Sequence, residues 1–333
     1  MKNILCNIGD EIVFNFEGKT QIASFEDLEK PENLSRIYRF QFSKEPQKKK
    51  FDFIINLLES NRDIDLRFYG NYSENSIDWK SLTFLENLQI DLWETNELKD
   101  LSYLQNLKKL GISKNVKSTV SLEILESLKK LECLFTSISK DIQSIEKLEN
   151  LRFLSLREIK TKNVDFLTNL NNLDEVWFSL GSYENIDGIT SLNNLEKLSI
   201  HQIRNFTNEQ LNSLLSECKK LKALELHNLK NLESLDFLRE LKNLEYLFLE
   251  GNKNIATYKG VEKLQLLKTF STSNSRAQDK SLAFLKNIEN VFLGDSYPKN
   301  SVDDFSEKFR GINLWIYGKA IKRKFEHNNP FKN

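Results

Sequence analysis

Cysteine is scarce: Cys6, Cys133 and Cys218 are odd in number and far apart. That spacing builds neither a disulfide framework nor a zinc site, and it points to reducing surroundings. Charge of one sign is also missing, because Lys plus Arg and Asp plus Glu are both 48 and the formal net charge is zero. A nucleic-acid binder is expected to carry a basic surplus. The runs Lys48-Lys49-Lys50 and Lys322-Arg323-Lys324 read as solvated surface or tail. No apolar stretch approaches the length that crosses a bilayer. The opening residues Met1-Lys2-Asn3-Ile4-Leu5-Cys6-Asn7 turn polar too early for a signal-peptide core. Glycine-rich phosphate loops, HExxH and GxSxG are absent, so no catalytic motif is found. These absences predict a cytoplasmic protein with no enzyme activity, cofactor, metal, small-molecule substrate or membrane association, and they weigh against nucleic acid.

What the chain has in abundance is one spacing of apolar residues, three, three and two. It occurs in Leu104-Leu107-Leu110-Ile112, Leu148-Leu151-Leu154-Leu156, Leu192-Leu195-Leu198-Ile200 and Leu241-Leu244-Leu247-Leu249. The last pair alternates at period two, which is a half-buried strand, and the preceding leucines form a tight turn feeding it. Such a unit cannot bury its apolar face alone and must stack on its copies. Anchored on the last two inward positions, thirteen candidate rungs run from Phe40/Phe42 and Ile64/Leu66 through Leu134/Thr136, Leu154/Leu156, Val176/Phe178 and Leu198/Ile200 to Val291/Leu293 and Trp315/Tyr317. Their mean step is about 23 residues, inside the leucine-rich repeat range.

These motifs resemble the leucine-rich repeat family, in its short-repeat, internalin-like branch. Ser234-Leu235-Asp236-Phe237-Leu238 before Leu241-Lys242-Asn243-Leu244 looks like that branch's turn-and-return segment. The resemblance implies an α/β solenoid: a curved domain with a parallel concave β-sheet of about 13 rungs and mostly short helical or irregular convex turns. The family's signature asparagine, five residues after the first anchor, occurs here only as Asn115 and Asn252. The slot elsewhere holds Ile159, Ile203, Leu229, Gly181, Ser139 or Ser275. An apolar residue there must contribute burial while the backbone finds other partners, so irregular turns and uneven curvature are expected. The internalins' secretion signal and wall anchor are not expected here, so their adhesin role is not carried over.

Some segments depart from the repeat. Ile4 to Phe16, broken at Gly9-Asp10, reads as a hairpin. Pro46 to Glu59 reads as a helix with Phe51, Ile54, Ile55 and Leu58 on its apolar side. Thr207 to Leu221 has helical spacing with Thr207 as N-cap, and Ser301 to Phe309 looks similar. Because solenoid ends need polar caps, the expected organisation is an N-terminal cap over 1–50, a repeat array over 51–300, and a C-terminal cap with a basic tail over 301–333. Lys319 to Asn333 is expected to be partly frayed.

Strand positions between inward anchors face the concavity. There, Phe135, Phe153 and Trp177 are expected on three consecutive rungs, with Tyr246 and Phe248 on one rung and Phe292 two rungs further. Exposed rings of this kind mark interaction surfaces. Arg157 and Glu175 beside the first cluster, and Glu225 and Glu250 beside the second, would form a polar rim. His201, His227 and Glu250 occupy successive rungs. They have a metal-site composition, but the outer two are separated by about 10 Å of strand spacing, too far for convergent ligands. Cys133 faces outward with no histidine near enough to activate it, and Cys218 reads as packing on a convex turn. The pattern predicts a non-enzymatic module that grips a folded protein partner in its concave face, as an inhibitor or a toxin-neutralising protein. A host-directed effector or regulatory subunit of a separate enzyme is the alternative, and RNA binding through tail and stacked rings is the third reading.

Overall fold

The computed structural model describes residues 2–203, 205–322 and 329–331. The chain divides into two compact units, Met1–Arg157 and Glu158–Asn333.

In the N-terminal unit the strands are β1 (Ile4–Ile8), β2 (Ile12–Phe16), β3 (Lys19–Ala23), β4 (Ile37–Phe42), β5 (Asp65–Gly70), β6 (Asn87–Leu92), β7 (Lys109–Ile112), β8 (Cys133–Thr136) and β9 (Phe153–Arg157). The predicted hairpin forms: β1 and β2 are antiparallel, β3 extends them, and β1 lies parallel to β4. From β4 to β9 every pairing is parallel. Two short helices, α1 (Phe25–Glu29) and α2 (Pro31–Leu34), precede β4, and α3 (Lys48–Ser60) follows it. Helix α3 buries Phe51, Ile54, Ile55 and Leu58, as its 3.6-residue periodicity requires. Two 3₁₀ turns, Glu74–Ser76 and Trp79–Leu82, join β5 to β6, and the later connections are single 3₁₀ turns such as Lys99–Tyr103 and Glu123–Ser127.

The C-terminal unit contains a two-stranded ribbon of β10 (Lys160–Thr161) and β12 (Ser182–Tyr183). Its main strands are β11 (Glu175–Ser179), β13 (Lys197–His201), β14 (Ala223–His227), β15 (Tyr246–Glu250), β16 (Thr269–Ser273), β17 (Asn290–Leu293) and β18 (Asn313–Ile316), all parallel in that order, and β19 (Lys319–Lys322) pairs antiparallel with β18. Helix α4 (Asn208–Glu217) starts at Thr207, whose hydroxyl accepts from the Gln210 N–H while the Gln210 side chain accepts from the Thr207 N–H. This reciprocal cap satisfies two donors that a helix start leaves open. Helix α5 (Lys299–Lys308) occupies the second predicted helical segment.

Two anchor pairs differ from the sequence pattern. Phe40 and Phe42 pair with Leu66 and Phe68, not Ile64 and Leu66. Ile64 is buried, but it lies just ahead of the strand. At the other end Val291 and Leu293 pair with Leu314 and Ile316, so Trp315 and Tyr317 fall on the opposite face and Tyr317 is 65% exposed. Four consecutive apolar residues hide the alternation there. The turn into β19 places Tyr317 at φ 49° and Gly318 at φ 73°, the pair of positive values that a tight two-residue hairpin requires. The fraying expected from Lys319 is therefore absent over Lys319–Lys322, while Arg323 and Lys324 of the basic run lie outside the described residues.

Rungs are joined by three kinds of hydrogen bond. Beyond the sheet ladder, the asparagine between the paired leucines donates to a carbonyl one rung back: Asn106 to Thr83, Asn150 to Lys129, Asn194 to Asn171 and Asn243 to Lys219, at 2.6–3.0 Å. The third kind replaces the family's asparagine slot. Four residues after each first anchor the backbone is left-handed at Glu158, Leu180, Gln202, Asn228, Gly251 and Asn274. In that conformation Leu180, Gln202, Asn228 and Gly251 turn their N–H groups onto carbonyls of the next rung, His201, His227, Glu250 and Ser273. The following side chains Ile159, Ile203 and Leu229 are fully buried, adding apolar contact while these backbone bonds supply the polar partners. Where asparagine does occupy the slot, Asn252 accepts from the Leu229 N–H at 2.8 Å and donates to the Leu226 carbonyl at 2.7 Å. Asn115 instead donates to Asp91.

Asn252 is completely buried. Replacing it with alanine strands a buried N–H and a buried carbonyl, which costs roughly 2–4 kcal/mol in all. Chemical unfolding of Asn252→Ala should show that loss, whereas Asn115→Ala should lose under about 1 kcal/mol. Equal effects at the two positions would contradict the ladder role given to Asn252.

Candidate functional site

Each unit presents one face of its sheet away from the leucine core, and the residues between inward anchors lie on it. In the N-terminal unit this face has a charged half and an apolar half. Arg39 pairs with Asp65 at 2.8 Å, Lys109 reaches the same carboxylate at 3.3 Å, and Arg67 pairs with Asp91. Asp91 is buried, which alone would raise its pKa, but bonds from Ser113, Arg67 and Asn115 outweigh burial and hold its carboxyl below the ordinary value. Towards β8 and β9, Phe135 and Phe153 meet with ring centroids 4.6 Å apart, both half-buried. The absent side chain at Gly111 opens a hollow of about 340 Å³ beside Phe135, lined by Arg39, Asp65, Gln89 and Lys109. Arg157 is exposed at the end of β9. Cys133 is half-buried on β8, and its unit contains no histidine.

The C-terminal unit carries the denser site. Glu175, expected at a rim, is only 8% exposed, and its carboxylate accepts from Trp177 Nε1 at 2.8 Å and from Lys197 Nζ at 3.1 Å. One acid thus orients an indole and an ammonium together. Trp177, Ala223, Tyr246 and Phe248 gather around Phe331, which is buried and whose ring lies 6.3 Å from Trp177 and 6.0 Å from Tyr246. Tyr246 is accordingly 6% exposed instead of bare. Burial, with Glu225 nearby as the lesser cause, pushes its phenol well above the usual range. Phe292 is half-buried on β17.

Next to this cluster stands a histidine between two acids. His227 Nδ1 lies 2.9 Å from Glu250 and Nε2 lies 3.2 Å from Glu225. Its ring also meets Phe248 edge-on at 5.2 Å and His201 at 5.3 Å. Burial disfavours the imidazolium, but hydrogen bonds to Glu225 and Glu250 outweigh it and raise the pKa above 6.5. Both ring nitrogens are engaged by carboxylates, so neither is turned towards an open ligand position. Among the described residues no group of three His, Cys, Asp or Glu side chains could hold an ion. Cys218, at the end of α4, donates to the Leu214 carbonyl, and burial first, with Glu217 second, pushes its thiol up to about 12. No helix among the described residues is long and apolar enough to cross a membrane.

The sequence reading located the rings and His227 but missed Lys197, Ala223 and Phe331. Lys197 was identifiable as the lysine directly before an anchor. Phe331 lay beyond the repeat, and nothing in the periodicity assigns it a place.

The fold is that of the leucine-rich repeat proteins. Among solved structures the chain is similar to an internalin (inlF) from Listeria monocytogenes, with a TM-score of 0.58, 17% identity, and coverage of 86% of this chain and 81% of that one. It is also similar to TLR13 in the structure of a TLR13–ssRNA13 complex, with a TM-score of 0.52, 21% identity, and coverage of 79% of this chain and 40% of that one. No family model matches the chain, and no match is found among curated proteins.

The sign of the His227 shift fixes a pH dependence. Its folded-state pKa is raised, so its contribution to stability is fully present below 6.5 and is lost as pH rises through the higher folded value. The stability gap between wild type and His227→Gln should therefore be widest near pH 5.5 and narrow as pH is raised. A gap that stays constant in thermal melts from pH 5.5 to 9 would mean that the imidazole is neutral in the fold.

Proposed function

We propose that this chain is a non-enzymatic protein-binding module that holds a folded partner against the open, concave-side face of its repeats. The observation that carries this reading is the aromatic floor of the C-terminal unit, Trp177, Tyr246 and Phe248, with charged groups fixed around it by Glu175 and His227. Large rings at strand positions outside the leucine core are not required for folding. Such rings, in a setting of oriented polar groups, are the composition of an interface hot spot.

Preorganisation is the mechanism. The rungs are tied to one another before any partner arrives, so few side chains must be ordered on association. Phe135 and Phe153 with the neighbouring ion pairs form a second contact area on the N-terminal unit, and Arg157, His201, Glu225, Glu250 and Phe292 extend the contact set. The 1–50 segment and the segment that starts at residue 301 serve as end caps of the array, apart from residues 329–331, which rest on the sheet face. A cytoplasmic inhibitor or toxin-neutralising protein is the role that best suits a binding surface without a catalytic constellation. The equality of positive and negative side chains favours a protein partner over RNA, whose binding draws chiefly on a basic surface.

Affinity capture with the immobilised chain tests the reading. Wild type should recover a partner that Trp177→Ala with Phe248→Ala loses by at least tenfold, with an unchanged far-ultraviolet circular dichroism spectrum. Undiminished recovery by the double variant would move the contact away from these rings.

A further inference from the structure

The cluster around Phe331 contains a ligand already: a short piece of this same chain. Asn329, Pro330 and Phe331 sit on the sheet face of the C-terminal unit, far in sequence from every strand they touch. Phe331 places its ring among Trp177, Ala223 and Tyr246 and is 9% exposed. Lys197 Nζ, held by Glu175, donates to the Pro330 carbonyl at 3.0 Å across 133 residues of sequence. The Phe331 N–H is satisfied within the segment, by Asn329 Oδ1 at 2.9 Å, and proline has no N–H to offer. Among the described residues, the segment thus offers the sheet an aromatic ring and a carbonyl acceptor. The small side chain of Ala223 leaves the depth for that ring between the two larger rings. A groove of about 290 Å³ continues past Pro330 over Lys197, Ala223, Tyr246 and Thr269, so the seat is longer than the segment resting in it. Its margins carry the ion pairs Lys222–Glu196 and Lys268–Glu245.

We propose that this seat is a reader of peptide segments that bear a phenylalanine directly after a free backbone carbonyl, and that residues 329–331 occupy it as an internal competitor for the partner's segment. The inference rests on the binding-module reading above and specifies the chemistry of its partner. A tethered segment sees its seat at an effective concentration in the millimolar range, so even a weak intrinsic ligand keeps it filled. A partner must then displace Phe331, and its apparent affinity falls by the fraction of seats that are open. Glu175 is a positioning residue here: it sets the direction of both Trp177 and Lys197.

The test uses full-length chains and a labelled synthetic peptide with the sequence of residues 326–333. Anisotropy titrations should show binding to Phe331→Ala at least tenfold tighter than to wild type, because only the variant has an empty seat. The same peptide with alanine in place of its phenylalanine should not bind, and adding Trp177→Ala or Lys197→Met to Phe331→Ala should weaken binding at least fivefold. In parallel, acrylamide quenching of tryptophan emission should increase in Phe331→Ala and return to the wild-type level when peptide is added. Equal binding to wild type and Phe331→Ala, or binding to neither, would overturn the proposal. Because no partner is present, that failure leaves the affinity-capture result standing. Conversely, a working peptide seat with an undiminished capture by Trp177→Ala/Phe248→Ala would retain the reader and relocate the partner.

Discussion

Every rung of this protein depends on polar satisfaction by its neighbour. A strand of five residues followed by a single 3₁₀ turn leaves many backbone donors and acceptors without a partner inside the rung, and buried groups of that kind are costly when unpaired. Here the sheet ladder, the asparagines typified by Asn106 and Asn194, and the left-handed residues from Glu158 to Gly251 all direct their bonds to an adjacent rung. The apolar spine of leucines provides the driving force for stacking, and these bonds satisfy the polar groups that stacking buries. The left-handed conformation is costly for a residue with a Cβ. It recurs at Glu158, Leu180 and Gln202 because the inter-rung bond and the burial of the following isoleucine or the close seat of Gly181 compensate it.

Rigidity of that kind makes the open face useful. Side chains between anchors are held at rung spacing outside the leucine spine, so their identity is at liberty to serve recognition. The N-terminal unit uses that liberty for a ladder of ion pairs ending in two phenylalanines whose rings meet at a tilt. The C-terminal unit uses it for a desolvated arrangement in which Glu175 and the Glu225–His227–Glu250 chain fix the polar groups around a ring cluster. Half-buried charge pairs of this sort contribute more to specificity than to stability, since desolvation offsets much of the attraction. Burial works against the His227 imidazolium, but the two flanking acids hold its pKa above the ordinary value.

Where the pattern was regular it could be read directly. Leu134, Leu154, Val176, Leu198, Leu224 and Leu247 all point into the core, as their spacing requires. It could not be read where apolar residues are contiguous, as in Leu314-Trp315-Ile316-Tyr317, because period two cannot be phased within such a run. There the hairpin at Tyr317-Gly318 decides which side each residue takes. The leucines also overshadowed the asparagines between them, although those recur in the same positions and do comparable structural work.

The sequence alone determined that strands must stack in parallel, which residues would form the spine, where α3, α4 and α5 would interrupt the rhythm, and which rings would lie off the spine. These properties follow from local periodicity, and periodicity is a property of neighbouring residues. Tertiary structure alone decided that Glu175 lies beneath Trp177 and Lys197 instead of at a rim, that His227 stands between two carboxylates, and that Phe331 fills the space over Ala223. Each of these joins residues from different rungs or from outside the repeat. Their distances are set by how the rungs stack, which no spacing along the chain records.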